Sequence, residues 1–210
     1  LFTLDLNGQN VDTLIVNSKI TIRDSATNKG TINSLTVSSN MTVADLLEEG
    51  YAFQRRSDNS WPAETGKTVS NVSVRQTPIK SVTLDTLNAK DNTDAPTTMS
   101  YGTTGGVKLS ASCNMLDTTL PDCQWYEIGS SLIPIDNAKG MNYFLPDDLT
   151  VGTHSYRVTF TKDGYSKSAE ITITVTPVSL DGAAVTVGKL TYNGTKQSPT
   201  VMVKLNNKQR

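Results

Sequence analysis

No run in this chain approaches the ~18 consecutive apolar residues that a membrane-spanning helix needs, so direct membrane insertion is not expected. Histidine is nearly absent. His154 stands alone, which excludes a His-based triad or a multi-histidine metal site within these 210 residues. An excess of positive charge is missing too: 19 Lys and Arg face 20 Asp and Glu, a formal net charge of -1. The basic residues are scattered, and the densest pair, Arg55-Arg56, is too small a footprint for a nucleic acid. The chain has neither a start methionine nor a signal peptide, and both ends, Leu1 and Asn207-Lys208-Gln209-Arg210, are abrupt. It is expected to be a piece of a longer chain, so missing targeting signals say nothing about location.

Cysteine is scarce, with only Cys113 and Cys123. A lone pair ten residues apart suits one local disulfide in an oxidising compartment, although two reduced thiols would be equally at home in the cytosol. Strand parity favours the bond. Val107, Leu109, Ala111 and Cys113 share the apolar face of one strand, and Cys123 shares a face with Trp125 on the next. Two cysteines and one histidine fit no common zinc spacing, and no metal or other cofactor is expected.

What is plentiful is Thr, Ser and Asn, a balance that favours strands with one wet face over amphipathic helices. The fold class expected is all-β, in three units. Residues 1–77 carry short period-2 patches, among them Leu4/Leu6, Leu14/Val16, Ile20/Ile22, Leu35/Val37 and Met41/Val43, split by turns such as Asn7-Gly8 and Asn28-Lys29-Gly30. Strands so short and so regularly turned are what solenoid rungs look like. One helix-like stretch is expected from Thr42, a capping residue with Asp45 three positions on, to Gly50. Residues 78–177 lie between Pro78 and Pro177 and offer about seven strands, the arithmetic of a sandwich. The clearest pair is His154–Thr161 and Ala169–Thr176 around Asp163-Gly164, a strong hairpin signal. Residues 178–210 contain Leu180-Asp181-Gly182, Val185–Val187, Tyr192-Asn193-Gly194 and Thr200–Leu205. They are too few for an independent core, so this unit is either truncated or packed on the second.

Several residues carry chemistry worth weighing. Asp5, Asp12 and Asp24 could align on successive rungs as the paired carboxylates of glycoside hydrolysis. Acids beside Asn, Gly and Ser more commonly cap turns through backbone hydrogen bonds. Calcium could use Asp91 with Asp94, or Asp117 with Asp122, but neither pair has the spacing of a dedicated loop. Asp147-Asp148 reads as a turn, and His154 as a structural residue at a strand entrance. Exposed rings are the usual carbohydrate platform. Trp61, Tyr51 and Phe53 are the candidate ligand-binding residues, with Tyr101, Tyr143 and Tyr165 as lesser ones. Trp61 stands in the polar stretch Asp58-Asn59-Ser60-Trp61-Pro62, where it either meets ligand or pins its loop to the first unit. Trp125 reads as core. Asn40, Asn71 and Asn193 head Asn-X-Ser/Thr triplets.

Gln124-Trp125-Tyr126, with Leu149-Thr150-Val151-Gly152-Thr153-His154-Ser155-Tyr156-Arg157-Val158, resembles a bacterial immunoglobulin-like domain. In that superfamily a disulfide joins the second strand to the penultimate one. Here Tyr156, or a neighbour, stands at the second position, so any bond would be local. Leu190-Thr191-Tyr192-Asn193-Gly194 followed by Ser198-Pro199-Thr200-Val201 resembles tandem β repeats of Gram-positive and gut-bacterial surface proteins. Leu4-Asp5-Leu6-Asn7-Gly8 and Ile20-Thr21-Ile22-Arg23-Asp24-Ser25 resemble the end of a right-handed parallel β-helix. Ala44-Asp45-Leu46-Leu47-Glu48-Glu49-Gly50-Tyr51-Ala52-Phe53 resembles a segment that closes such helices. These resemblances imply an extracellular, bacterial cell-surface location and a monomeric stalk or adhesive module. Its ligand would be a glycan or host matrix protein, and no family chemistry carries over. The alternative they allow is a non-catalytic accessory region of an extracellular polysaccharide-degrading enzyme.

Overall fold

A computed structural model describes residues 2–63, 65–179, 181–191, 193–205 and 208–209. The readings made at Leu1, Leu180, Tyr192, Asn207 and Arg210 lie outside these residues. The chain is all-β.

The first unit holds strands β1 (Phe2–Asp5), β2 (Val11–Val16), β3 (Ile20–Arg23), β4 (Ile32–Val37), β5 (Tyr51–Arg55) and β6 (Thr68–Gln76). Strand β1 pairs in parallel with β3 (Phe2 opposite Ile20), and β2 pairs in parallel with β4 (Val11 opposite Ile32). Two successive coils therefore lie one on the other, strand over strand. The stack then closes with antiparallel pairing, β4 to β6 and β6 to β5. Its core is aliphatic with a single ring: Leu6, Val16, Ile22, Ile32, Leu35, Val43, Leu46, Val72 and Val74 surround Phe53.

The corners between coils are fixed by one buried carboxylate. Asp24 accepts hydrogen bonds from the backbone N–H groups of Gly8 (2.9 Å), Ala26 (3.1 Å) and Gly30 (2.6 Å), so it ties the first coil's corner to the second's. Asn7 and Gly8 both take positive φ there, which suits Gly and is tolerated by Asn. Gly30 is required for space instead. A Cβ at that position would lie 2.0 Å from the carbonyl oxygen of Gln9 in the coil beneath.

The helix-like stretch is shorter and tighter than the sequence suggests. Val43–Leu46 form a single 3₁₀ turn, entered at Thr42, whose N–H and hydroxyl both donate to Asp45 (2.7 and 2.9 Å). Val43 and Leu46 are both buried, and the chain is already extended at Leu47, so Gly50 belongs to the turn into β5 rather than to a helix end.

The second unit contains β7 (Ile79–Asn88), β8 (Thr98–Ser100), β9 (Val107–Met115), β10 (Asp122–Ile128), β11 (Leu132–Pro134), β12 (Asn142–Phe144), β13 (Gly152–Lys162) and β14 (Tyr165–Thr176). They form two sheets, β12-β9-β7 and β11-β10-β13-β14-β8. β8 runs parallel to the end of β14. Ile79, Val107 and Leu109 from one sheet meet Trp125, Tyr156, Val158, Phe160 and Ile173 from the other in one core. Trp125 is fully buried, and its indole N–H reaches the carbonyl of Gly140 at 2.8 Å, so the polar atom of a buried ring is satisfied. The β13–β14 hairpin turns at Asp163 and Gly164, both at positive φ, as a two-residue type I′ loop requires.

The disulfide expected between Cys113 and Cys123 is not formed; both are free thiols. Parity placed both sulfurs toward the interior, and both side chains do border the core. The strands, however, belong to different sheets: Cys113 pairs with Val82 on β7, and Cys123 with Phe160 on β13. The Cys123 thiol donates instead to the carbonyl of Gly140 at 3.3 Å.

In the third unit, β15 (Ala184–Val187) pairs with β16 (Val201–Leu205), and β16 with β17 (Lys208–Gln209). Val185, Val187, Leu190 and Val201 are all at least half exposed.

Candidate functional site

The two folded units meet at a short joint. β6 ends at Gln76 and β7 begins at Ile79, leaving only Thr77 and Pro78 between them. Both are buried. The Thr77 N–H donates to Gly50 O (2.9 Å), its hydroxyl to Ile79 O (2.7 Å), and Pro78 O accepts from the Leu116 N–H (3.1 Å). A buried joint held by these three hydrogen bonds has little freedom to bend.

A second contact lies away from the joint. The Trp61 indole N–H donates to Asp163 O at 3.1 Å, at the tip of the β13–β14 hairpin. The same ring stands edge-on to Tyr165, centroids 5.1 Å apart at 69°. Trp61 therefore does pin its loop, but to the second unit rather than to its own. The turn at Asp163-Gly164 makes this contact, because a two-residue loop presents a bare carbonyl at its tip.

Between joint and tip lies a groove of about 560 Å³. The first unit supplies Tyr51, Gln54, Arg75 and Gln76 from β5 and β6, with Ser25 and Lys29 from a coil corner. The second supplies Leu116, Asp117 and Asp163. Gln76 donates to the Tyr51 hydroxyl at 3.2 Å, and Gln54 donates to Asn59 O at 3.0 Å, so both side-chain amides are oriented.

The structure thus brings together two of the three ring residues named from sequence. Tyr51 and Trp61 line the groove; Phe53 does not. Phe53 is 0 % exposed and opposes Val74 in the first unit's core; Tyr51 shares its face of β5 and packs on the same core, but stands at the strand's start, where its ring borders the groove. Tyr165 buttresses Trp61, while Tyr143 stacks with Trp125 and Tyr156, and Tyr101 packs on the second core.

The acids weighed as catalytic pairs serve turns. Asp5 accepts from the N–H groups of Asn7 (3.0 Å) and Ser25 (3.1 Å) and pairs with Arg23 (2.9 Å). The Ser25 N–H foremost, with the Asn7 N–H and Arg23, holds its carboxyl at about 2. Asp12 accepts from Asn33 (2.8 Å). Asp91 accepts from Thr93, which lowers its pKa. Asp117 binds Lys162 and the Thr119 N–H. His154 bonds Thr150 O at 2.8 Å, a structural placement. Among the described residues, no three His, Cys, Asp or Glu side chains converge as a metal site would require. Burial raises both thiol pKa values, that of Cys123 to about 11.

Arg75, Gln54, Gln76 and Leu116 escaped the sequence reading. They come from segments far apart in the chain, and no local pattern marks them as neighbours. Comparison with models of protein families, with curated proteins and with solved structures returned no match to this chain.

Proposed function

We propose that the chain is a structural stalk or adhesive module of a bacterial cell-surface protein. In this reading residues 1–77 are the end of a right-handed parallel β-helix, 78–177 an immunoglobulin-like sandwich and 178–210 the start of a tandem β repeat. The observation that carries it is the double fastening of the first two units. A buried two-residue joint and the Trp61–Asp163 contact fix them at two separated points. Two attachments resist both bending and twisting, which is what a segment holding a distal domain away from a surface must do. The parallel coils closed by the antiparallel β5–β6 pair support the first assignment, and the two sheets around Trp125 support the second. The role is non-catalytic: Asp5, Asp12 and Asp24 all spend their carboxylates on turns and neighbouring side chains.

The groove favours a second reading, an accessory region that holds polysaccharide near a catalytic domain elsewhere in an extracellular enzyme. Antibody labelling of intact and lysed cells of the source organism tests the shared premise. Labelling of intact cells is expected for both readings, and signal only after lysis would remove both.

A further inference from the structure

We propose that the groove between the first two units takes an acidic oligosaccharide, with the Arg75 guanidinium holding a carboxylate of the sugar. This rests on the surface-module reading and names its ligand class.

The charges around the groove decide between acidic and neutral sugars. Of the acids lining it, Asp24 has its carboxylate oxygens engaged by three backbone N–H groups, and Asp117 is paired with Lys162. Both keep their negative charge, but each has a cation beside it, Lys29 for Asp24 and Lys162 for Asp117. Lys29 donates its ammonium to the Asp24 carbonyl, which sets its positive charge beside that residue's carboxylate and leaves Arg75 as the cation free for a ligand. Arg75 is exposed on β6, opposite Ala52, and its guanidinium makes no hydrogen bond or ion pair among the described residues. A guanidinium with its fork free is shaped for bidentate contact with a planar anion. Only Asp163 adds an uncompensated negative charge, and it sits at the hairpin tip where its carbonyl holds Trp61.

The rest of the lining selects a sugar over a bare anion. Tyr51 offers a ring with a hydroxyl at its edge, and the Gln54 and Gln76 amides, oriented by their bonds to Asn59 and Tyr51, keep their carbonyl oxygens for ligand hydroxyls. The volume, about 560 Å³, falls within the ~300–1,000 Å³ of small-molecule sites. Ala52, the strand partner of Arg75, carries only a methyl group and cannot reach the guanidinium.

The test is an NMR titration of the whole chain with short galacturonate oligomers at low salt. Galactose oligomers of matched length serve as the neutral arm, and sulfated oligosaccharides as a second acidic arm. Expected are saturable shifts at Tyr51, Gln54 and Gln76, at least about tenfold weaker for the neutral arm and weakened by added salt. Arg75→Gln should cost about tenfold or more in affinity, with Arg75→Lys recovering part of it and an unchanged Tm for both. Tighter binding of the sulfated arm would overturn the carboxylate assignment. Equal binding of neutral oligomers, an Arg75→Gln chain that binds as well as the parent, or no saturable binding at all would overturn the proposal. None of these touches the stalk reading, which falls instead if intact cells fail to label.

Discussion

Trp61 is where the account is easiest to break. Replacing it with Phe keeps a ring against Tyr165 but removes the N–H donated to Asp163 O, a contact worth about 0.5–1.5 kcal/mol. The bond is partly exposed, so the lower half of that range applies. Replacing it with Ala removes the edge-on pair as well, another ~0.5–1.5 kcal/mol beyond area burial. The total for Ala is then about 2 kcal/mol. With a urea slope of about 2 kcal/mol per molar, the first unit's midpoint should fall by about 0.25–0.5 M for Trp61→Phe and about 1 M for Trp61→Ala. The assay follows urea unfolding by two probes. Trp125 is the sole remaining tryptophan in either variant and reports the second unit from its core. Amide signals of β2 and β4 report the first. The variants should shift the first-unit transition while the Trp125 transition stays within about 0.2 M of the parent. Midpoints of the first unit unchanged in both variants would refute the reasoning, because Trp61 would then fasten nothing.

Gly30→Ala should destabilise the first unit by about 1–3 kcal/mol, read by the same amide signals, since the added methyl meets backbone of Gln9 that cannot swing aside. Asp5 gives a pH signature. Its folded pKa lies below the ordinary 3.8, at about 2, so it contributes stability that is present above 3.8 and lost as pH falls toward 2. Asp5→Asn should flatten the stability of the first unit across that window, and an unaltered acid limb would contradict the Ser25 and Asn7 contacts. The two thiols should alkylate more slowly in the folded chain than in the unfolded one at neutral pH, Cys123 more so, because partial burial raises their pKa values. Both should react once the chain is unfolded without reductant; a chain that takes up no label under those conditions would restore the disulfide.

The parts of this fold legible in the sequence are those set by neighbours along the chain. Asp163-Gly164 between alternating strands specified a hairpin, and Asn7-Gly8 a corner, because positive φ is a local demand that few residues meet. The reading of Asp24 as a turn cap was available from its Ser neighbour, although its reach to Gly8 in the previous coil was not. Long-range geometry was hidden. Parity correctly turned Cys113 and Cys123 inward but does not set the distance between two sulfurs on separate strands, and so the bond was misjudged. Phe53 looked like Tyr51, two residues away on the same strand, yet one ring fills the core and the other lines the groove. The pairing of β8 with the end of β14 left no trace, since a three-residue edge strand has too few positions for a period. The groove itself is made by coil corner, hairpin, joint and loop together, and only their packing reveals it.

Residual dipolar couplings across the joint test the central claim most directly. If the buried Thr77–Pro78 link and the Trp61 contact fix the first two units, couplings from residues 2–63 and from residues 79–176 will fit one common alignment tensor. Two tensors of different magnitude or orientation would mean that the units reorient independently, and the fastened-stalk account would be wrong.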